Sequence, residues 1–264
     1  MKIALAQTAP KQTSFDENLN AALDIAKEAA SKCAKLVVFP EMFTGGFHYP
    51  ENKAALATGR NFAEEVAQIA KQAEIFVAGT VPALSENSDL PVNRLVIATP
   101  DGKIETHYDK IHLFGAFNEN KYVASGESIH VKETSLGRLG LAICYDLRFP
   151  EMFVNMALKD ANLIILSAAW PHPRMNHFRT LVRARAIETQ SFVVAVNQAG
   201  VEDFGVRKIQ YGGESCAIDP FGETICECKA DAPDLQFCKV SFKKNVKAKE
   251  RLCALADRKP HLYK

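Results

Sequence analysis

The chain carries the same order of segments twice, and this repetition limits the folds that it can adopt. Residues 21–41 contain a helical pattern, a fully apolar strand and a proline, and the same order returns over residues 153–172. The strand-length runs at 36–39 and 163–168 show no alternation of polar and apolar residues. Strands of this kind are covered on both faces, as they are where helices pack against a sheet. The sequence therefore predicts a doubled α/β unit in which two sheets lie face to face with helices outside.

The remaining elements follow from hydrophobic periodicity and turn residues. Pro100-Asp101-Gly102 predicts a hairpin, so antiparallel strands join each predicted parallel set in a mixed sheet. Helices are expected over residues 16–32, 61–73, 151–159 and 176–189. Strands are expected over residues 2–7, 36–39, 75–81, 93–99, 103–107, 129–133, 139–144, 163–168 and 192–196, with shorter ones within 213–218, 223–227 and 237–240.

Composition excludes several classes of protein. The 264 residues include 32 basic and 31 acidic side chains, which are interspersed and leave a net charge of +1. A nucleic-acid or membrane-surface partner would require a basic stripe, so neither partner is expected. No apolar run approaches the roughly 20 residues of a membrane span, and no cleavable signal opens the chain, which favours a soluble, cytoplasmic protein. We expect one compact domain over residues 1–242, followed by a highly charged arm over residues 243–264.

Cysteine usage indicates reduced thiols. Seven cysteines are an odd number, spread through a chain of medium length, which does not suit a disulfide framework. Cys226 and Cys228 form the only close pair, and one intervening residue is not the usual spacing of zinc ligands. We therefore interpret this pair as structural.

Cys144 is a candidate nucleophile because of its place at the end of an apolar strand. The run that begins at Gly140 ends in this cysteine, and a polar loop with Pro150 follows at once. A thiol so placed resembles the nucleophile of a strand-to-helix elbow, although the Gly-x-Ser-x-Gly spacing of that motif is absent. The alternative is an inert core cysteine, since free cysteines are among the most buried residues.

Charged residues at the ends of two other predicted strands are candidates to assist this thiol. Glu41 follows the apolar run 36–39, where ligand sites of α/β sheets lie. Lys110 follows the strand 103–107, and Glu119 stands nine residues later, where it can pair with the lysine. Each of them has a simpler interpretation as an exposed loop residue.

Three motifs carry a resemblance to a known family. They are Phe-Pro-Glu at 39–41, Tyr-Asp-Lys-Ile-His-Leu-Phe at 108–114 and Cys-Tyr-Asp-Leu-Arg-Phe-Pro-Glu at 144–151. In this order they resemble the motifs of the nitrilase superfamily of carbon–nitrogen hydrolases, and Arg-Ala-Arg-Ala-Ile-Glu at 183–188 and Asp-Arg-Lys-Pro at 257–260 are similar to its amidase branches. The resemblance covers essentially the whole chain. It implies a four-layer α-β-β-α sandwich that associates through helices into homodimers, with the arm at the dimer interface.

The resemblance also implies roles for the charged residues. Glu41 becomes the general base, Cys144 the nucleophile, Lys110 the cation that stabilises the oxyanion, and Glu119 an additional positioning acid. A thiol is mostly protonated at neutral pH, so a neighbouring carboxylate must accept its proton before it attacks an amide carbonyl. Lys110 and the backbone N–H of Tyr145 can then stabilise the negative oxygen of the tetrahedral intermediate. No metal or organic cofactor is required.

The predicted substrate is the terminal amide of a small 2-oxo dicarboxylic acid. The run Ala-Ala-Trp-Pro-His-Pro-Arg at 168–174 and the spacing of Glu119 from Lys110 are similar to bacterial ω-amidases, which hydrolyse 2-oxoglutaramate or 2-oxosuccinamate. Arg174 or Arg148 can supply a bidentate partner for the carboxylate of such a substrate. Further substrate-binding residues are expected at the pocket wall: Trp170, Phe43 and Tyr145.

Other functions remain open at this point. Within the resemblance, a deaminated-glutathione amidase, an N-carbamoyl amino acid hydrolase and a nitrilase would share the same three central residues. A Cys–His hydrolase is a rival because His107, His112, His172 and His177 are available. A non-catalytic binding or redox-sensing protein is a second rival, with Cys144 as an oxidisable thiol.

Overall fold

Two six-stranded sheets form the centre of the molecule. The computed structural model describes residues 1–115 and 118–263. In chain numbering, the first sheet has the strand order β14-β1-β2-β3-β4-β5 and the second has the order β13-β12-β9-β8-β7-β6. The strands are β1 (Lys2–Gln7), β2 (Leu36–Val38), β3 (Phe76–Ala83), β4 (Val92–Ala98), β5 (Ile104–Asp109), β6 (Val131–Thr134), β7 (Gly137–Ile143), β8 (Leu163–Ala168), β9 (Phe192–Asn197), β10 (Ala199–Asp203), β11 (Lys208–Gly212), β12 (Cys216–Ile218), β13 (Thr224–Glu227) and β14 (Asp234–Lys239).

Helices cover the outer faces of both sheets. The α-helices are α1 (Phe15–Ser31), α2 (Tyr49–Ala57), α3 (Phe62–Ala73), α4 (Pro150–Leu158), α5 (Met175–Thr189) and α6 (Lys243–Arg251). α1 and α3 pack on the first sheet, and α4 and α5 pack on the second. The α-β-β-α layering predicted from the sequence is therefore confirmed. No helix within residues 1–115 and 118–263 is long and apolar enough to cross a membrane.

The predicted doubling appears in the strand pairing. In the first sheet, β1, β2 and β3 are parallel, and β4 and β5 continue antiparallel. In the second sheet, β7, β8 and β9 are parallel, and β12 and β13 continue antiparallel. One antiparallel strand closes the opposite side of each sheet, β14 beside β1 and β6 beside β7. The two halves of the chain therefore build equivalent sheets.

The buried strands pack on both faces, as their lack of alternation predicts. In β2, Leu36 and Val38 join the cluster of buried side chains that contains both sheets, while Val37 joins the cluster under α1 and α3. Successive side chains of a strand point to opposite faces, so one short apolar run fills two cores. This arrangement fixes the register of the strand, because a slip by one residue would exchange the two faces.

Four parts of the chain differ from the prediction. The helix α2 and the hairpin of β10 and β11 lie in segments where the sequence analysis predicted no element. The charged arm contains α6, whose Asn245 is buried and donates to the backbone oxygens of Asn162 and Gln190. Finally, β7 ends at Ile143, and Cys144 opens a helical turn instead of closing the strand.

We expect Leu141→Ala to lower the free energy of unfolding by about 2–5 kcal/mol, because the truncated side chain leaves a cavity in the shared core. Leu141 is fully buried in β7 between the sheets. Leu158→Ala is the matched control, since Leu158 is 51% exposed on α4, and we expect its effect to stay within about 0.5 kcal/mol. Urea denaturation followed by circular dichroism measures both. Equal losses in the two variants would contradict this account of the core.

Candidate active site

A cavity of about 250 Å³ opens at the carboxyl ends of the parallel strands. Strands β2, β5, β7 and β8 end at this edge, and the residues that follow them line the cavity. Eight of the nine site residues predicted from the sequence are among them: Glu41, Lys110, Glu119, Cys144, Tyr145, Arg148, Trp170 and Arg174. Residues from both halves of the chain thus meet in one place.

Glu41 is held between the two sheets. Its backbone N–H donates to the Ala168 oxygen at 3.2 Å, and Gln198 donates to its backbone oxygen at 2.6 Å. One carboxylate oxygen, Oε1, accepts hydrogen bonds from Asn93 Nδ2 and Lys110 Nζ, both at 2.8 Å. The other oxygen, Oε2, is buried and has no nitrogen or oxygen donor within the described part of the chain. The Cys144 thiol interacts with this carboxylate and is placed to give it a proton.

Lys110 is a buried cation between two carboxylates. Its side chain is 2% exposed, and Nζ donates to Glu41 at 2.8 Å and to the two oxygens of Glu119 at 2.9 and 3.0 Å. Glu119 is fixed in turn by the backbone N–H of Phe114 at 2.7 Å. An ammonium group has three donors, and these three carboxylate oxygens accept from all of them, so Lys110 holds a fixed positive charge beside the cavity.

Cys144 lies on a sharp turn between β7 and α4. Its φ angle is +46°, in the left-handed region that residues with a side chain seldom adopt, so the backbone here is strained. A helical turn over residues 144–148 follows immediately. Tyr145 is near the start of this turn, where backbone N–H groups have no partner inside the helix. A thiol and a free backbone donor therefore lie beside each other at the cavity.

Asp146 ties the turn of Cys144 to the loop of Lys110, and the sequence analysis did not identify this role. The side chain is fully buried, and Oδ2 accepts from the Ile143 N–H and the Tyr108 hydroxyl, each at 2.8 Å. The other oxygen, Oδ1, accepts from the backbone N–H of His112 at 3.2 Å and lies 2.8 Å from His112 Nδ1. Its position two residues after the candidate nucleophile was the available signal. One carboxylate thus sets the spacing of two catalytic loops.

The charges of the cluster determine where a proton can go. Burial raises the pKa of Glu41; Lys110 opposes this effect, and the charge of Glu119 adds to it. Burial also raises the pKa of the Cys144 thiol well above its usual value, and the nearby Glu41 charge raises it further. For Lys110, burial alone would lower the pKa, but the charges of Glu41 and Glu119 together raise it well above normal, so it stays protonated.

These shifts favour a coupled proton transfer. Two carboxylates and one ammonium leave the buried cluster with one net negative charge. Simple ionisation of the Cys144 thiol to solvent would add a second buried charge, which is costly. Transfer of the same proton to Glu41 leaves the total charge of the cluster unchanged. The geometry therefore suits a thiol that is deprotonated by its neighbour at the moment of attack.

The two predicted arginines and the tryptophan form the outer wall. The Arg148 guanidinium lies 4.5 Å from the centre of the Trp170 ring, and the indole Nε1 donates to the backbone oxygen of Cys144 at 3.3 Å. Arg174 is exposed in the turn before α5. Within residues 1–115 and 118–263, neither arginine forms an ion pair with a carboxylate, so both charges face the cavity mouth without a counterion.

Phe43 is the predicted wall residue that the structure places elsewhere. Its ring is buried in the cluster under α1 and α3, where it stacks on Phe39 at 4.8 Å. Gly79 allows this approach, because a Cβ there would lie 2.7 Å from the Phe43 ring. The aromatic wall comes instead from residues that the sequence analysis did not select: Phe47, Tyr49, Phe114 and Tyr211.

The histidine alternative receives no support from the geometry. Within the described residues, His107, His112, His172 and His177 all lie outside the cavity lining. His112 contacts Asp146, and its ring stacks on Phe149 at 3.6 Å, while His172 lies 2.7 Å from Asp231. Residues 1–115 and 118–263 also contain no group of three or more His, Cys, Asp or Glu side chains arranged to hold a metal ion.

Known proteins are similar to this chain over most of its length. The carbon-nitrogen hydrolase family model matches residues 2–247. A 2-oxoglutaramate amidase of Bacillus subtilis is 31% identical over 237 residues, which cover 89% of this chain and 89% of that protein. A deaminated glutathione amidase of Dictyostelium discoideum is 28% identical over 267 residues, which cover 94% of this chain and 91% of that protein.

A solved structure gives the same picture of the fold. A carbon–nitrogen hydrolase superfamily protein from Xanthomonas campestris, determined with an arsenic adduct in its active site, superposes with a TM-score of 0.87 at 29% sequence identity. The superposition covers 98% of this chain and 97% of that one.

We expect Glu119→Gln to move the acidic limb of Cys144 alkylation to lower pH, by on the order of one pH unit. Glu41 accepts the thiol proton only when it is ionised, so alkylation slows as the pH falls through the pKa of Glu41. The charge of Glu119 raises that pKa, and its removal therefore lowers it. Iodoacetamide incorporation at Cys144, measured by peptide mass spectrometry across the acidic range, reports the shift.

Glu127→Gln serves as the control for this measurement, because Glu127 is exposed and does not line the cavity. Its profile should match that of the unmodified protein. A Glu119→Gln profile that moved to higher pH, or did not move, would contradict the assigned electrostatic coupling between Glu119 and Glu41.

Proposed function

Since this chain belongs to the carbon–nitrogen hydrolase family and hydrolyses carbon–nitrogen bonds in linear amides, we propose that its substrate is the terminal amide of a small 2-oxo dicarboxylic acid. 2-Oxoglutaramate is the representative case, and the products are a dicarboxylate and ammonia. The observation that carries this proposal is a small cavity with a nucleophile at its base and two arginines at its wall that pair with no carboxylate among residues 1–115 and 118–263.

The size of the cavity supports a small substrate. Its volume of about 250 Å³ is below the roughly 300–1,000 Å³ typical of pockets for drug-sized ligands. A 2-oxo acid monoamide fits this space more readily than the peptide-like substrate that the name of the Dictyostelium relative implies. The Bacillus relative is named for 2-oxoglutaramate itself, which agrees with the smaller substrate.

The charges of the wall support an anionic substrate. Arg148 and Arg174 line the cavity together with the apolar surfaces of Trp170 and Pro171. A guanidinium group binds a carboxylate through two parallel hydrogen bonds, which gives orientation as well as affinity. A substrate held by its carboxylate at this wall directs its opposite end, the amide, toward Cys144.

Attack by the thiol begins the reaction. Glu41 accepts the proton of Cys144 while the sulfur forms a bond to the amide carbon, and the carbonyl electron pair moves to the oxygen. The positive charge of the Lys110 ammonium and the backbone N–H of Tyr145 stabilise the resulting oxyanion. Glu41 then gives the proton to the amide nitrogen, the carbon–nitrogen bond breaks, and ammonia leaves a thioester on Cys144.

Water completes the cycle by the same steps. Glu41, ionised again, accepts a proton from a water molecule as its oxygen attacks the thioester carbon. The same two groups stabilise the second oxyanion, and its collapse breaks the carbon–sulfur bond. The sulfur recovers the proton from Glu41, and the new carboxylic acid leaves and gives its own proton to the solvent. Glu119 holds Lys110 in place through both halves of the cycle.

Ammonia release from a panel of substrates tests the proposed specificity. The panel contains 2-oxoglutaramate, 2-oxosuccinamate, glutamine, an N-carbamoyl amino acid and an aliphatic nitrile. We expect kcat/KM for the 2-oxo acid amides to exceed that for glutamine by about tenfold or more, because the ammonium of glutamine is repelled by the arginines of the wall. Cys144→Ala should reduce every rate to background. Preferred turnover of the carbamoyl compound or the nitrile would reject the proposed substrate, and activity in Cys144→Ala would reject the mechanism.

Substitution of the arginines tests the proposed orientation. We expect Arg148→Ala or Arg174→Ala to raise KM for 2-oxoglutaramate on the order of tenfold, because a charged bidentate contact is lost. Turnover of butyramide, which lacks a carboxylate, should be unchanged in the variant that has lost the carboxylate-binding arginine. Arg179→Ala is the control, since Arg179 is exposed on α5 and pairs with Glu214. Equal effects on both substrates would show a loss of structure instead of a loss of recognition.

A further inference from the structure

A second buried carboxylate lies behind the cavity wall and takes no part in the steps above. Glu202 lies in β10 and is 4% exposed to solvent. Among the residues that the structure describes, it makes no contact with the Glu41, Lys110 and Glu119 cluster. A buried carboxylate is costly unless hydrogen bonds compensate for the lost water, so its partners indicate why it is there.

The partners of Glu202 are two residues of the cavity wall. Oε1 accepts from the backbone N–H of Phe47 at 2.7 Å, and Oε2 accepts from the Tyr211 hydroxyl at 2.8 Å. Phe47 and Tyr211 both line the cavity, and their ring centres are 6.3 Å apart. The same side chain therefore holds two residues of this wall, Phe47 by its backbone and Tyr211 by its hydroxyl group.

The loop after Glu41 is shaped around this carboxylate. Gly46 has a φ angle of +73°, and a Cβ at this position would lie 2.3 Å from Glu202 Oε1. A side chain at position 46 would therefore push the carboxylate out of its place. His48 Nε2 lies 3.8 Å from the same oxygen, and the His48 ring stacks on Phe204 of the hairpin connection at 5.3 Å.

The two wall residues belong to separate segments of the chain. Phe47 lies in the loop that begins at Glu41, whereas Tyr211 lies in β11, on the hairpin outside both large sheets. Among the described residues, no backbone–backbone hydrogen bond joins this loop to the hairpin. Glu202, which belongs to the hairpin itself, supplies a hydrogen-bonded connection by accepting from the Phe47 N–H of the loop and from the Tyr211 hydroxyl of the neighbouring strand. The packing of Phe47 and His48 against the hairpin supports the same contact.

We propose that Glu202 is a positioning residue that sets the width of the substrate cavity by holding the Phe47 loop and the Tyr211 hairpin at a fixed separation. It acts through Phe47 and Tyr211 and does not touch the reacting atoms. Without the Glu202 carboxylate, the wall opens and the cavity admits bulkier molecules. The affinity of the cavity for small amides falls at the same time. This role of Glu202 concerns the shape of the cavity, so it does not depend on which small amide is the substrate.

Competition between two thiol reagents of different size tests this role independently of the substrate. Iodoacetamide is a small primary amide, and N-ethylmaleimide is bulkier. The second-order rate constants at Cys144 are measured for both reagents by peptide mass spectrometry, which separates Cys144 from the exposed Cys33 and Cys253. In Glu202→Ala we expect the ratio of the N-ethylmaleimide rate to the iodoacetamide rate to rise on the order of tenfold.

Matched variants separate positioning from general loss of structure. Glu202→Gln retains an acceptor for the Phe47 N–H and a polar group for Tyr211, so its ratio should return most of the way to that of the unmodified protein. Tyr211→Phe removes one of the two bonds and should give an intermediate ratio. Asp203→Asn is the control in the same strand, since Asp203 contacts Gly205 and Lys208 in the hairpin and does not line the catalytic cavity.

Steady-state kinetics provide the second measurement. With the best amide of the panel, Glu202→Ala should raise KM on the order of tenfold and change kcat by less than about threefold, because the catalytic cluster keeps its contacts. An unchanged size ratio in Glu202→Ala would overturn the proposal, as would a fall in both reagent rates together with kcat. If Glu202→Ala does not fold, the Tyr211→Phe ratio decides, and a value equal to that of the unmodified protein overturns the proposal. These readouts do not depend on which amide the panel identifies, so a wrong substrate and a wrong role for Glu202 give different results.

Discussion

The ammonium of Lys110, enclosed by two carboxylates, is the interaction on which the site depends. A cation without water is stable only when opposite charges and hydrogen bonds surround it, and here Glu41 and Glu119 supply both. Together with Cys144, this arrangement needs three strands that are far apart in the chain, β2, β5 and β7, to end at one edge of the molecule. The face-to-face sheets meet this need, because the parallel strands in each sheet deliver their carboxyl ends to the same side. The fold therefore brings together the charges that the buried ammonium requires.

The excess negative charge of this cluster has a purpose in the proposed reaction. A neutral cluster would hold Glu41 as a weaker base, while a thiolate formed in advance would be a poor fit to a buried, anionic environment. In this cluster the Cys144 thiol stays protonated until a substrate is present, and its proton then passes over a short distance to Glu41. Such a site holds little free thiolate between turnovers, and a reagent reacts with the sulfur as Glu41 takes up its proton, because the thiolate is the reactive form.

The sequence predicted the layers and the chemical groups better than it predicted their connections. Apolar runs such as 36–39 and 163–168 lack the alternating polar residues of a strand that faces solvent. Both of their faces must therefore be covered, so the sandwich could be inferred from them. Glu41, Lys110 and Cys144 each follow a strand, which made their convergence predictable. Phe43 was predicted at the cavity wall but lies under α1 and α3, because the chain turns over residues 41–45, where Met42 has a φ angle of +50°. Contacts such as those of Asp146 and Glu202 join residues that are distant in the chain, and no local pattern specifies them.

The backbone at Cys144 has a consequence for how such an enzyme can change over generations. A residue with a side chain at a φ angle of +46° costs of order 1–3 kcal/mol relative to relaxed backbone, and the rest of the fold must hold it there. Glycine at this position would relieve the strain and remove the nucleophile, so stability and activity favour different residues at one site. The cysteine in this conformation is therefore explained by its chemistry and not by its contribution to stability.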